Sequence, residues 1–144
     1  MSLSPSKIQS HFSHLSSLDA SERSKFFSQY VSPEVNWTVM GHSPMSKTYT
    51  SLSEFLDATI KVLANDILTE PLRLEVKNVI AMPIDGGTHA VVELAAIDAK
   101  CQSGMTYDMK YCWVVKYGND EKIVEARAYI DTDLLNRAIE QNRK

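Results

Sequence analysis

Three long runs in the second half of the chain leave few folds open. Ala90–Ala99, Met105–Tyr117 and Lys122–Ile130 are rich in β-branched and aromatic residues, and apolar side chains alternate in them with charged ones. That alternation marks strands with one face buried. Ser103-Gly104 and Gly118-Asn119-Asp120 supply the turns between them. A two-residue turn at Ser103-Gly104 sets Gln102 opposite Met105, and hence Asp98 opposite Met109, Ala96 opposite Tyr111 and Leu94 opposite Trp113. A four-residue connection at Gly118–Glu121 pairs Tyr117 with Lys122, so Val115 meets Val124, Trp113 meets Ala126 and Tyr111 meets Ala128. Successive side chains point to opposite faces. One face then carries Val92, Leu94, Ala96, Asp98, Met109, Tyr111, Trp113, Val115, Val124, Ala126, Ala128 and Ile130. The other, charged and mixed, carries Glu93, Ala95, Ile97, Asp108, Lys110, Cys112, Val114, Glu125, Arg127, Tyr129 and Asp131. A slip of one residue would exchange the faces, and the clean split supports the count. Aromatics opposite alanines can pack a core or line a cavity.

The first half reads as helices around one strand. Residues 1–6 are a loose start. Apolar spacing predicts a helix over Lys7–Leu18 and a second, capped by Asp19, running to Tyr30 and ended by Ser32-Pro33. Val35–Met40 is a strand closing at Gly41, followed by the loop Gly41–Pro44. Ser51 or Ser53 caps a long helix whose apolar positions run from Leu52 through Phe55, Leu56, Ile60 and Leu63 to Ile67, with Pro71 as its stop. Leu72–Met82 is a strand broken by Pro83, and Asp85-Gly86-Gly87 is a turn. Asp131 caps a terminal helix over Leu134–Asn142. Helices first and strands after make the class α+β, not alternating βαβ. The 144 residues suit one domain, residues 1–144.

Charge and composition exclude several functions. The net charge is −3 and basic residues are scattered, so no basic face for nucleic acid is expected. The locally basic tail, Asn136-Arg137 and Asn142-Arg143-Lys144, suits a helix C-terminus. No apolar run reaches the ~18 residues of a membrane span, and Met1–Ser10 has no apolar signal core. The expected location is cytoplasmic. The predicted pairing holds Cys101 and Cys112 roughly 16 Å apart at ~3.3 Å per residue, beyond the ~7 Å that a disulfide spans. Free thiols are expected, and no metal site.

The stretch from Tyr30 through Val35-Asn36-Trp37-Thr38-Val39 to Pro44 resembles the first strand and loop of SnoaL-like proteins, within the NTF2-like superfamily. Gly104-Met105-Thr106-Tyr107, Tyr111-Cys112-Trp113-Val114-Val115 and Lys122–Thr132 are similar to later strands of the same family. Relatives include ketosteroid isomerases, polyketide cyclases, dehydratases, epoxide hydrolases and non-catalytic binding proteins. The resemblance implies a cone: a curved antiparallel sheet closed on one side by N-terminal helices around a deep pocket. It also implies that Leu94, Tyr111, Trp113, Ala126 and Ala128 line the pocket, and that the outer face meets water or a second copy in a homodimer. The isomerases' general-base aspartate falls at Thr38, their protonated aspartate at about Trp113 and their helix tyrosine near His14. The cyclases' aspartate falls near Ala128. These carboxylates are absent here.

Candidate chemistry is therefore sparse. Asp98 is the only carboxylate on the predicted inner face, where burial would raise its pKa toward general acid–base use; the other reading places it at the rim in solvent. His14 and His42 are candidate proton carriers, or surface residues. Tyr111, Trp113, Trp37 and Thr38 are candidate substrate contacts. Glu93, Glu125 and Arg127 read as an ion-pair network or dimer contact. No Ser-His-Asp order, P-loop, dinucleotide fingerprint or metal motif appears. Two functions fit. One is an isomerase, cyclase or dehydratase without cofactor, moving protons on an apolar oxygenated substrate. The other is a non-catalytic ligand-binding or dimerisation domain. A transport adaptor would rest on fold analogy alone.

Overall fold

The computed structural model describes residues 3–84 and 86–142. The predicted Asp85 turn residue, the first residues of the loose start and the end of the basic tail lie outside them. Helix α1 spans Pro5–Phe12, with Pro5 at its first position and Ser4 accepting from Lys7 N. A 3₁₀ turn, Ser13–Ser16, takes over where a longer helix was expected. Asp19 caps α2, Ala20–Tyr30, as predicted. The chain passes from α2 directly into β1, Val31–Val39. Ser32 and Pro33 thus lie inside the strand, and the β1–β6 register breaks between Val31 and Asn36, where Pro33 cannot donate to a ladder.

The long third helix is real but broken. It runs as α3, Leu52–Ala58, then α4, Ile60–Val62, then a π-helical turn, Leu63–Ile67. Thr59 sits at the break with φ −123° and ψ −77°, its hydroxyl donating to the Phe55 carbonyl at 2.6 Å. Such back-bonding bends helices. A short strand, β2 (Thr48–Tyr49), pairs with β1 and was not foreseen. Strands β3 (Leu74–Ile84), β4 (Gly87–Ala96), β5 (Lys110–Tyr117) and β6 (Ile123–Tyr129) follow, then α5 (Thr132–Gln141), capped by Asp131.

The strands form one sheet in the order β2-β1-β6-β5-β4-β3. It is antiparallel except where β1 and β6 run parallel, a correction to the wholly antiparallel expectation. Parallel neighbours need a long connection, and here it runs from β1 through β2, the helical segment and β3–β5 before β6 returns beside β1. Pro83 does not end β3, because β3 is an edge strand. Irregularities in the β3–β4, β5–β6 and β1–β6 ladders add the local twist that curls a sheet.

The registers differ from the predicted ones by two residues. Leu94 meets Tyr111 and Val92 meets Trp113; Trp113 meets Ala128 and Val115 meets Ala126. A shift of two preserves the faces, so Val92, Leu94, Met109, Tyr111, Trp113, Val115, Ala126 and Ala128 are all buried. The other predicted inner residues are not buried: Ala96 and Ile130 are half-buried, Asp98 is exposed, and past the β5–β6 irregularity Ile123 takes the place of the half-buried Val124, while Ala95, expected outside, is buried. The helices close over this inner face. Both cysteines are free, Cys101 buried and Cys112 half-buried.

Candidate functional site

Trp37 and Trp113 dominate the space between the inner sheet face and the broken helix. Trp37 reaches it from β1 and stacks on Phe55 of α3, with ring centroids 4.2 Å apart. Trp113 meets Trp37 edge-on at 5.1 Å and Tyr111 at 6.0 Å. The rings fill most of the interior and leave a cavity of about 40 Å³ lined by Trp37, Phe55, Thr59, Tyr107, Tyr111, Trp113, Ala128 and other apolar side chains.

Its polar groups are few, and three of them are unsatisfied. Trp37 Nε1, Trp113 Nε1 and Tyr111 Oη are buried with no hydrogen-bond partner among the described residues. The hydroxyls of Tyr107 and Tyr111 interact, but their geometry falls short of a formed hydrogen bond. Burial holds the Tyr111 phenol well above its ordinary pKa, and pushes that of Tyr107 up to about 12. Both are therefore neutral donors at physiological pH. Buried polar groups in native proteins normally find a partner, which makes these three groups exceptions.

A groove of about 220 Å³ lies beside the cavity, between α2, the broken helix and the chain around Pro71. Ile60, Leu72 and Trp113 belong to the walls of both. Among the described residues no carboxylate or histidine lines either space, and no group of three or more His, Cys, Asp or Glu is placed to hold a metal ion.

Of the residues predicted for the site, Trp37, Tyr111, Trp113 and Ala128 are brought together at the cavity. Leu94 and Ala126 are buried on the same face without reaching its wall. Thr38 points the other way, its hydroxyl 2.9 Å from that of Thr48; in β1 it is Trp37 that faces inward. Asp98 is exposed at φ 45°, beyond the end of β4, and so lies at the rim and not on the inner face. His42 is exposed in the loop after β1, where its carbonyl accepts from Asn136. His14 lies 3.4 Å from a Glu22 carboxylate oxygen, off the cavity wall. The three proton carriers thus stand apart from one another and from the aromatic cluster.

Sequence reasoning missed Tyr107 and Thr59. The alternation of β5, continued backward, puts Tyr107 in phase with Tyr111, and that signal was available; Thr59 becomes visible only with the helix break. It also missed His11, which is 4% exposed, stacks on Tyr30 at 3.8 Å and sits 3.4 Å from the Tyr117 hydroxyl.

No family model matches the chain, and comparison with curated proteins finds no match. Solved structures do resemble it. An NTF2-like protein from Burkholderia thailandensis shares 17% identity over 88% of this chain and 92% of its own, with a TM-score of 0.61. A pinacolase from Penicillium brevicompactum shares 14% over 92% and 86%, also at 0.61. A candidate isomerase from Rhodopseudomonas palustris shares 13% over 90% and 89%, at 0.57. At these identities the likeness shows the fold, which is the NTF2-like one.

Proposed function

We propose that this chain of NTF2-like fold is a small-molecule pocket protein that holds an apolar, oxygen-bearing molecule. The ligand's oxygen accepts hydrogen bonds from Trp37, Trp113 and Tyr111. The observation that carries this is that the three residues bearing these unpartnered donors all line one apolar cavity. Leaving such groups unsatisfied costs about 1–3 kcal/mol each, and a ligand carbonyl removes that cost. Apolar walls with a few placed polar groups are typical of ligand sites.

The chain's only tryptophans are the two in the cavity wall, so intrinsic fluorescence reports on the site itself. Cyclohexyl methyl ketone should bind with a fluorescence change and ethylcyclohexane much more weakly. Trp113→Phe and Tyr111→Phe should each weaken the ketone about tenfold, or ~1.4 kcal/mol, and leave the hydrocarbon unchanged. Equal affinities for ketone and hydrocarbon would overturn the proposal.

A second reading, isomerase-type proton transfer, is favoured by the pinacolase and the candidate isomerase among the structural neighbours. The same donors are suited to stabilising an enolate-like oxyanion. Its proton acceptor is then water or the substrate, since His14, Asp98 and His42 lie off the cavity wall. This reading requires protein-catalysed exchange of the ketone's α-hydrogens in heavy water, lost in Tyr111→Phe. Exchange no faster than buffer contradicts it.

The chain is further proposed to form a homodimer through its outer sheet face. Ile80 and Met82, each 58% exposed, and Ile84 lie in step along edge strand β3. Val91 and Val114 continue that face inward through the ladder. Contiguous exposed apolar surface of this kind marks interaction sites.

A further inference from the structure

The inner cavity is too small for a whole ligand. By the usual measure a water needs roughly 10–15 Å³, so a space of about 40 Å³ holds one small functional group. The groove beside it shares Ile60, Leu72 and Trp113 with the cavity and has room for the body of a ligand whose oxygen reaches Trp37 and Trp113. The groove walls are apolar: Leu15, Phe27, Leu56 and Leu74 are among them. Its charged lining residues are Arg23 and Lys61, both cationic.

Neither cation is fully committed. Arg23 is half-buried and donates to the Ser17 carbonyl at 2.9 Å, with no carboxylate partner among the described residues. A guanidinium has further donors in a fixed fork that suits a carboxylate. Lys61 pairs with Asp57 at 2.7 Å, but both are exposed, and such surface pairs are weak enough to exchange partners. Every charged or unpartnered polar group along cavity and groove is thus a hydrogen-bond donor, which selects a ligand whose polar groups are acceptors.

We infer that cavity and groove form one elongated site for an amphipathic carboxylate: a carbonyl or ether oxygen at the Trp37/Trp113/Tyr111 end, an apolar body along the groove, and a carboxylate at Arg23 and Lys61. This rests on the cavity reading above and adds the charge and length of the ligand. A ligand with a basic amine at the groove end would meet like charge and be rejected.

The test uses the full chain with oxodecanoic acid carrying its ketone on the penultimate carbon, and with the methyl ester of that acid. The acid should bind about fivefold or more tighter than its ester by tryptophan fluorescence, the scale of a partly exposed ion pair. Arg23→Gln and Lys61→Gln should each erase part of that preference without weakening the ester, and Arg23→Lys should restore it in part. Lys61→Gln alters an exposed residue, so it remains informative if loss of the Ser17 contact destabilises the Arg23 variant. Acid and ester binding equally, with both variants unchanged, overturns the carboxylate end alone and leaves the cavity proposal standing. If neither compound perturbs the tryptophans, the cavity proposal falls and this inference with it.

Discussion

The tryptophans, tyrosines and one histidine carry most of what is unusual at the scale of single residues. Trp37 is fully buried against Phe55, so Trp37→Ala should cost about 3–5 kcal/mol in urea unfolding, the ordinary range for removing a core aromatic. Trp113→Phe should behave differently. It removes a donor that has no partner among the described residues, and the gain offsets the smaller ring, leaving stability within about 1 kcal/mol of the parent while ketone affinity drops. His11 makes a pH prediction. Burial is the main cause that lowers its pKa below 6.5; Glu121 opposes this, and Lys7 and His14 add to the lowering. The unfolded chain then takes up the proton more readily than the native one. This contribution to stability is present above the unfolded pKa and is lost as pH falls through the lowered folded value. Unfolding midpoints should therefore fall between about pH 7 and pH 5, and the fall should be shallower in His11→Phe; equal slopes would contradict the assignment. His11 was illegible in the sequence because its neighbours come from the end of α2 and from β5. A lone histidine on a helix shows nothing of a partner over a hundred residues away.

At the scale of elements, local chemistry was the easiest part to read. Asp19, Ser51 and Asp131 all accept from backbone N–H groups in the first turns of their helices, because a side-chain oxygen before an apolar-periodic run satisfies orphan donors. Asp131→Ala should lower stability by about 1 kcal/mol and loosen the α5 cover of the cavity wall at Leu135; an unchanged melting midpoint would count against that cap. Gly41 has φ +96°, and a Cβ there would collide with Thr132 at the start of α5. The strand faces were legible and the strand registers were not. Between β4 and β5 one extra residue enters at the hairpin tip, where Lys100 rather than Cys101 meets Thr106, and another near Asp98, which takes a positive φ. Two single slips restore parity. Alternation along a strand encodes which face is buried, and it is blind to an even shift along the partner. The helix break at Thr59 was hidden for a related reason: i, i+3, i+4 spacing does not distinguish a continuous helix from one that bends.

At the scale of the whole molecule, the cone and its covering helices were expected from the order of elements and the family resemblance, and the parallel β1–β6 pair was not. The aromatic half of the proposed site was readable because Tyr111 and Trp113 share one parity along β5 and Trp37 lies in the apolar run of β1. The proton carriers were misplaced because each was located by sequence neighbourhood, without knowledge of which side its element shows the interior. The outer face makes a separate prediction. Met82→Lys, on the exposed apolar edge, should convert a dimer to monomer in sedimentation velocity without altering ketone binding; a dimer that survives it would place the interface elsewhere. The central claim, that buried indole donors await a ligand oxygen, has a direct readout in the indole N–H resonances. The chain has two tryptophans, so a ¹⁵N correlation spectrum shows one indole peak from each. Titration with cyclohexyl methyl ketone should move both proton shifts downfield, as new hydrogen bonds do, and ethylcyclohexane should not. Peaks that stay in place, or that move alike with ketone and hydrocarbon, would contradict it.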